Sequence, residues 1–180
     1  MASVRGAQGD GILGRALDDG GAGETQNGNV LSWKSLPGCA RGAYNGGMMR
    51  SAERAALAFV QAINRQDVEQ MAALMTSGHR FIDSMGHEVK GRDAVRTCWV
   101  GYFHMVPDYS IAVHETLCDG PVVVMMGVAK GTYAPEAWLK AENRWETPVA
   151  VQAAIKDGKV AEWRVYADNE PMRERMRTAV

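Results

Sequence analysis

The sequence predicts an α+β domain, a curved antiparallel sheet packed on three N-terminal helices. Three observations predict it. Apolar residues recur at helical spacing between positions 51 and 103 and at strand spacing between 109 and 167. Two Asp-Gly pairs, Asp119-Gly120 and Asp157-Gly158, divide the second region into hairpins. Helices gathered in front of hairpins give two layers around one core.

The elements follow in order. Ser51 is placed to cap a first helix, whose Ala56, Phe59, Val60 and Ile63 fall on one face. The chain turns a corner near Gln66. Asp67-x-x-Gln70 is a capping-box spacing, and Val68, Met71, Ala72 and Met75 continue it as a second helix. Residues 79–83 read as a short strand, Met85-Gly86 as a turn, and 87–90 as the return. A third helix starts after Gly91, with Val95, Cys98, Trp99 and Tyr102 on one face and Phe103 beside them. Pro107 stops it. Residues 109–118 and 122–133 form one hairpin, and 149–156 and 159–167 form another. Between them, 134–146 is a longer connection carrying Trp138 and Trp145. A curved sheet over the long helix encloses an apolar pocket.

Composition sets the class. The 180 residues suit one domain, and 46% hydrophobic residues can fill its core. The 20 basic and 21 acidic residues leave a net charge of −1, so charge supplies no attraction to nucleic acid or to an anionic membrane. The three cysteines, Cys39, Cys98 and Cys118, are odd in number and far apart, which suits reduced thiols in a cytoplasmic protein. No apolar run approaches a membrane span or a signal peptide.

Residues 1–47 differ from the rest. They hold 12 of the 20 glycines and no steady apolar period, and read as a disordered leader before a domain over 48–175 and a tail over 176–180. Gly9, Gly11 and Gly14 match the dinucleotide-binding spacing, but no strand precedes them and no helix can follow, so the match is chance. No cofactor is expected. The four histidines, His79, His87, His104 and His114, show no metal-ligand spacing, and no metal is expected either.

Three segments carry a resemblance: "FVQAINRQDVEQMAALMTSGHRFID" over 59–83, "GRDAVRTCWVGYF" from Gly91, and "TPVAVQAAIKDGKVAEWRVYAD" from Thr147. Together they resemble the nuclear-transport-factor-2-like superfamily, a cone-shaped, cystatin-like fold, and within it the SnoaL-like polyketide cyclases, ketosteroid isomerases and limonene-epoxide hydrolases. The fold hosts enzymes, binding proteins and dimerisation modules, so chemistry must be read from residues.

Asp83 is the leading catalytic candidate. The resemblance places it where ketosteroid isomerases carry the aspartate that moves a proton beside a carbonyl. A carboxylate at the mouth of an apolar pocket is poorly solvated, which raises its pKa toward the range of a general base. The competing reading is an Asp that caps the turn over 84–86. The isomerases' oxyanion donors align with Phe59 and Ala150, which donate nothing. The hydrolases' Asp-Arg-Asp triad aligns with Met126, Val128 and Val165, all apolar. The "G-T-H" strand end of the cyclases here reads Gly131-Thr132-Tyr133, leaving Tyr133 as a hydroxyl donor.

Strand parity supplies the rest. If Ala150 faces the pocket, so does Gln152, an inward donor. If Val165 faces in, so does Trp163, a wall for a flat ligand, while Asp168 faces away. His114, mid-strand, is placed for a proton relay with Asp83, and His104 can reach the mouth. Phe59, Phe81, Trp99, Phe103, Met126, Val128, Ala150, Trp163 and Val165 are the expected pocket lining. Two functions fit. One is proton transfer next to a carbonyl in a small apolar cyclic molecule, as an isomerase, cyclase or dehydratase. The other is a non-catalytic hydrophobic-ligand-binding or dimerisation module. A homodimer is expected through the open sheet face, where Glu162, Arg164 and Tyr166 sit.

Overall fold

The computed structural model describes residues 46–178, Ala137 excepted. Of the Gly-rich leader, positions 1–45 lie outside the described residues, while Gly46 and Gly47 already belong to helix α1 (Gly46–Asn64). Ser51 is therefore inside this helix and not at its cap. Gln66 takes φ 55°, turning the chain, and the Asp67 carboxylate then accepts from the Gln70 backbone N–H at 2.9 Å to start α2 (Val68–Leu74). There follow β1 (Met75–Ile82), β2 (Glu88–Lys90) and α3 (Arg92–Met105), ended by Val106-Pro107. The long hairpins are β3 (Ser110–Asp119) with β4 (Val122–Thr132), and β5 (Arg144–Lys156) with β6 (Lys159–Ala167). Asp157 and Gly158 both take positive φ, 52° and 73°, as a two-residue hairpin turn requires.

The six strands run in the order β2-β1-β6-β5-β4-β3. All neighbours are antiparallel except β1 and β6, which are parallel. The sheet is thus mixed, where local hairpin signals predict an antiparallel one. The pair that differs joins the first strand to the last, and no local signal reports the direction of so distant a neighbour. The C-terminus also departs from expectation. In place of a tail after 175, a fourth helix, α4 (Glu170–Thr178), runs to the end of the described residues. The Asp168 carboxylate accepts from the Glu170 N–H at 2.9 Å and caps it. Its sequence, EPMRERMRT, has only Met172 and Met176 as an apolar pair, too sparse a period to read as a packed helix.

The core lies between α1 and the inner sheet face. Ala56, Phe59, Val60 and Ile63 pack with Val123, Met125, Val151, Ala153 and Trp163. The Phe59 ring is 4.8 Å from Trp163 and 5.9 Å from His79. His79 is fully buried, and its Nδ1–H donates to the Val160 carbonyl at 2.8 Å, which fixes the tautomer. Burial lowers its pKa, outweighing that carbonyl and the charge of Glu162, so the ring stays neutral.

One irregularity shapes the sheet. Val113 pairs with Gly127 and Glu115 with Met126, so His114 is the extra residue of a bulge. A side chain at 127 would put Cβ 1.9 Å from the Ala112 carbonyl oxygen, so glycine is the residue that lets the strands close there. The opposite, outer face carries rows of paired residues: Leu117, Val124, Gln152 and Arg164; then Glu115, Met126, Ala150 and Tyr166. Leu117 is 51% exposed and Tyr166 53%.

Candidate active site

A cavity of about 360 Å³ lies between the inner sheet face, α3 and α4. Its walls are apolar and largely aromatic. Phe81 of β1 meets Trp99 edge-on at 5.8 Å, Trp99 meets Tyr102 at 5.8 Å, Tyr102 meets Tyr109 at 5.0 Å, and Tyr109 meets Trp145 at 6.0 Å. Ala129, Thr147, Val149, Val165 and Ala167 form the sheet side. Asn169, Met172, Arg173 and Met176 bring in α4, and Asp83 and Ser84 come from the turn after β1.

Asp83 caps that turn. Its Oδ1 accepts from the backbone N–H groups of Met85 and His87, each at 2.9 Å, and its Oδ2 accepts from His87 Nδ1 at 3.0 Å. The Asp83 side chain is 33% exposed and that of His87 71%. Burial pushes the Asp83 pKa up, but the His87 ring, the two backbone donors and the His87 charge together outweigh it. The net shift is downward, opposite to the rise expected from the sequence. The turn-capping and cavity-lining positions are therefore one and the same. Replacing His87 by Ala keeps the backbone donor and removes the ring's contribution. The Asp83 titration midpoint is expected to rise, as a carbon NMR titration of its carboxyl would register. An unmoved midpoint would show that the ring does not set the ionisation.

Two tyrosines, Tyr102 and Tyr109, line the same cavity. Tyr102 Oη donates only to the Met172 thioether, at 3.8 Å, a weak acceptor. Among the described residues Tyr109 has no partner for its hydroxyl. Burial raises the pKa of both, and a tyrosinate at 109 would further oppose ionisation of Tyr102, so both remain protonated donors. These are the residues sequence reading missed. The resemblance points to Phe59 and Ala150 as the donor positions, and the helical spacing puts Tyr102 on the same face as Trp99, which marks no donor.

The other expected site residues divide. Phe81, Trp99 and Val165 line the cavity beside Asp83. Phe59, Phe103 and Trp163 are buried in the core and outside the lining. Met126, Val128, Ala150 and Gln152 lie on the outer face, because Trp145, Thr147, Val149, Val151 and Ala153 take the inner positions of β5. The expected β5 parity is off by one residue. β5 does alternate, with Arg144, Glu146 and Gln152 outside and Trp145, Thr147, Val149 and Val151 inside; the match by resemblance at Ala150, and not the alternation, puts the expected parity one residue out. The β5–β6 register decides it, since Val151 pairs with Val165 and Ala150 with Tyr166. His114 is exposed at the bulge and Tyr133 stands past β4, its N–H bonded to the Asn143 carbonyl at 3.1 Å, so neither reaches Asp83's cavity. His104 is exposed and absent from the lining. Among the described residues no cluster of three His, Cys, Asp or Glu side chains could hold a metal ion, and no helix is long and apolar enough to cross a membrane.

Residues 56–163 match the SnoaL-like domain family. The chain belongs to that family. As a SnoaL-like domain it shares its fold with a protein assigned as a SnoaL-like polyketide cyclase from Jannaschia sp. CCS1. The two are 16% identical, with a TM-score of 0.64 over 73% of this chain and 94% of that one. It is similar also to an LEH-like epoxide hydrolase from M. tuberculosis, at 20% identity and a TM-score of 0.60 over 73% of this chain and 93% of the other. A hypothetical protein with a ketosteroid isomerase-like fold from Catenulispora acidiphila, solved with trimethylamine, is 13% identical, with a TM-score of 0.60 over 67% and 90%. At these identities the likeness is one of fold. No curated protein matches this SnoaL-like domain.

Proposed function

We propose that this SnoaL-like domain moves a proton next to a carbonyl in a small, apolar, cyclic molecule, with Asp83 as general base. The observation that carries the reading is the company Asp83 keeps. An ionised carboxylate and the hydroxyls of Tyr102 and Tyr109 belong to one aromatic-walled cavity of about 360 Å³, a size suited to a compact ring system. Asp83 takes the proton from the carbon beside the carbonyl, and the C–H electron pair moves into an enolate. The negative oxygen that forms accepts from the protonated tyrosines. Asp83 then returns the proton to another carbon, giving isomerisation. Alternatively, the enolate attacks a second carbonyl of the same molecule and Asp83 returns its proton to the new alkoxide, giving cyclisation, or the enolate expels a β-hydroxyl that takes the Asp83 proton and leaves as water.

The lowered pKa makes free Asp83 a weak base. An apolar ligand seated at the mouth strips water from its exposed third, adding to the burial effect that already pushes the pKa up. Binding and base strength are thereby coupled. The test is exchange of solvent deuterium into a panel of cyclic ketones, followed by mass spectrometry. Protein-dependent exchange supports the reading. Absence of exchange with ketones that demonstrably bind would replace it with a binding role.

A second reading concerns assembly, and the outer face favours it. We propose that two copies pair through this face, burying Leu117, Val124, Met126 and Tyr166, with Glu162 and Arg164 at the rim. Clustered apolar side chains bounded by charges suit a self-complementary interface. Met126→Asp would place a charge at its centre and is expected to weaken dimerisation at least about 30-fold, some 2 kcal/mol. Sedimentation of both proteins across a concentration series checks this. A wild type that stays monomeric throughout ends the idea.

A further inference from the structure

We propose that the ligand of the cavity carries an anionic group, a carboxylate on a flat apolar ring system, and that Arg173 binds it. This rests on the cavity being the binding site and deepens that reading. Among the described residues, two charged ones line the cavity, Asp83 and Arg173. Asp83 is occupied by three hydrogen bonds from its own turn. Arg173 has no such arrangement. Among the described residues no carboxylate lies within ion-pair distance of its guanidinium, whose one side-chain contact is with the thioether of Met85.

The acids that could neutralise Arg173 on its own helix are placed elsewhere. Glu170, one turn earlier, pairs with Arg177, and Glu174 adds to the field at Arg177. The helix is also held in position. Asn169 Nδ2 donates to Ser84 Oγ at 2.6 Å and Arg175 Nε to the Arg144 carbonyl at 3.2 Å. These bonds tie α4 to the Asp83 turn and to the start of β5, and bring Arg173 against Met85 of that turn. An exposed guanidinium with no carboxylate partner, beside an aromatic cavity, offers a planar fork of N–H donors to a carboxylate whose ring enters that cavity. The two opposite charges of the rim then have separate duties. Arg173 holds the anion and so sets which ring carbon reaches Asp83.

The test is binding and needs no turnover. Full-length protein is titrated with 2-naphthoate and with the neutral 2-acetylnaphthalene, by calorimetry and by quenching of tryptophan fluorescence. Wild type is expected to favour the carboxylate about tenfold, as a partly exposed charge-assisted pair implies, with the preference shrinking as salt is raised. Arg173→Met, which keeps the apolar stem, is expected to abolish the preference and leave the ketone within about twofold. Arg173→Lys should retain part of it. Equal affinity of wild type for the two probes, equal loss of both in Arg173→Met, or binding of neither probe would overturn the proposal. Asp83→Asn serves as the separating arm. If it retains the carboxylate preference while exchange fails in every protein, the base assignment falls and the Arg173 assignment stands.

Discussion

Asp83→Asn is expected to lower proton exchange by about 10²- to 10⁴-fold while leaving the affinity for a neutral ring ketone within about twofold. The substitution is nearly isosteric. The amide oxygen can still accept from the backbone N–H groups of Met85 and His87, which the carboxylate accepts at 2.9 Å each, so the turn keeps its cap. What disappears is the capacity to take a proton, together with the charged partner of the His87 ring. Turnover and binding therefore separate. A neutral ligand is held by the aromatic walls, which the mutation does not touch, whereas the chemical step has lost its acceptor. Pre-steady-state exchange measured beside a ligand titration gives both quantities from one preparation. Exchange at the wild-type rate would remove Asp83 as the base. A proportional loss of binding and exchange would make it a structural turn residue, and nothing more.

Phe59→Ala should cost about 3–5 kcal/mol of stability, among the larger effects available in this domain. Phe59 is 0% exposed and fills the space between Trp163 and His79, rings that α1 holds against the inner sheet face. Truncation removes the aromatic contacts and leaves a void that rigid strands cannot collapse. The same change tests the placement of this residue, which the superfamily alignment puts beside the reacting group. Its side chain belongs to the core and not to the cavity wall. Chemical denaturation should show the full loss of stability. Ligand affinity, measured well below the unfolding midpoint, should stay close to wild type. A small loss of stability with a large loss of affinity would return Phe59 to the site.

Much of the fold is legible because its signals are local. The Asp67 cap, the corner at Gln66, the stop at Pro107 and the Asp157-Gly158 turn are each set by neighbours a few residues away, and all stand where the spacing puts them. The position of Asp83 at the cavity is also legible, since it ends the strand that the resemblance singles out. What is hidden is non-local. Whether Ala150 or Val151 points inward is set by a register shared among β4, β5 and β6; valine and methionine occupy both faces of β4, while on β5 Glu146 and Gln152 mark the outer row against the match by resemblance at Ala150. The ionisation of Asp83 is hidden for a different reason. Burial, the visible cause, is overcome by the ring and backbone of His87, four residues on, once the turn has closed. The bulge at His114 turns a mid-strand histidine out to solvent, and only the close approach at Gly127 records it.

The closing helix has a consequence for how such cavities diversify. The stretch shared with the family ends at Trp163, yet Val165, Ala167, Asn169, Met172, Arg173 and Met176 of the lining all come after it. The frame that carries the Asp83 turn is the inherited part. The rest of the lining lies on the end of β6, which pairs with β5, and on α4, where Asn169 bonds to Ser84 and Arg175 to the Arg144 carbonyl. No residue of α4 is fully buried, so its lining side chains can change with little effect on the packing between α1 and the sheet. Under the proposed function, a chimera that exchanged residues 169–178 between two relatives is expected to exchange their ligand preference and leave the Asp83 turn as it was.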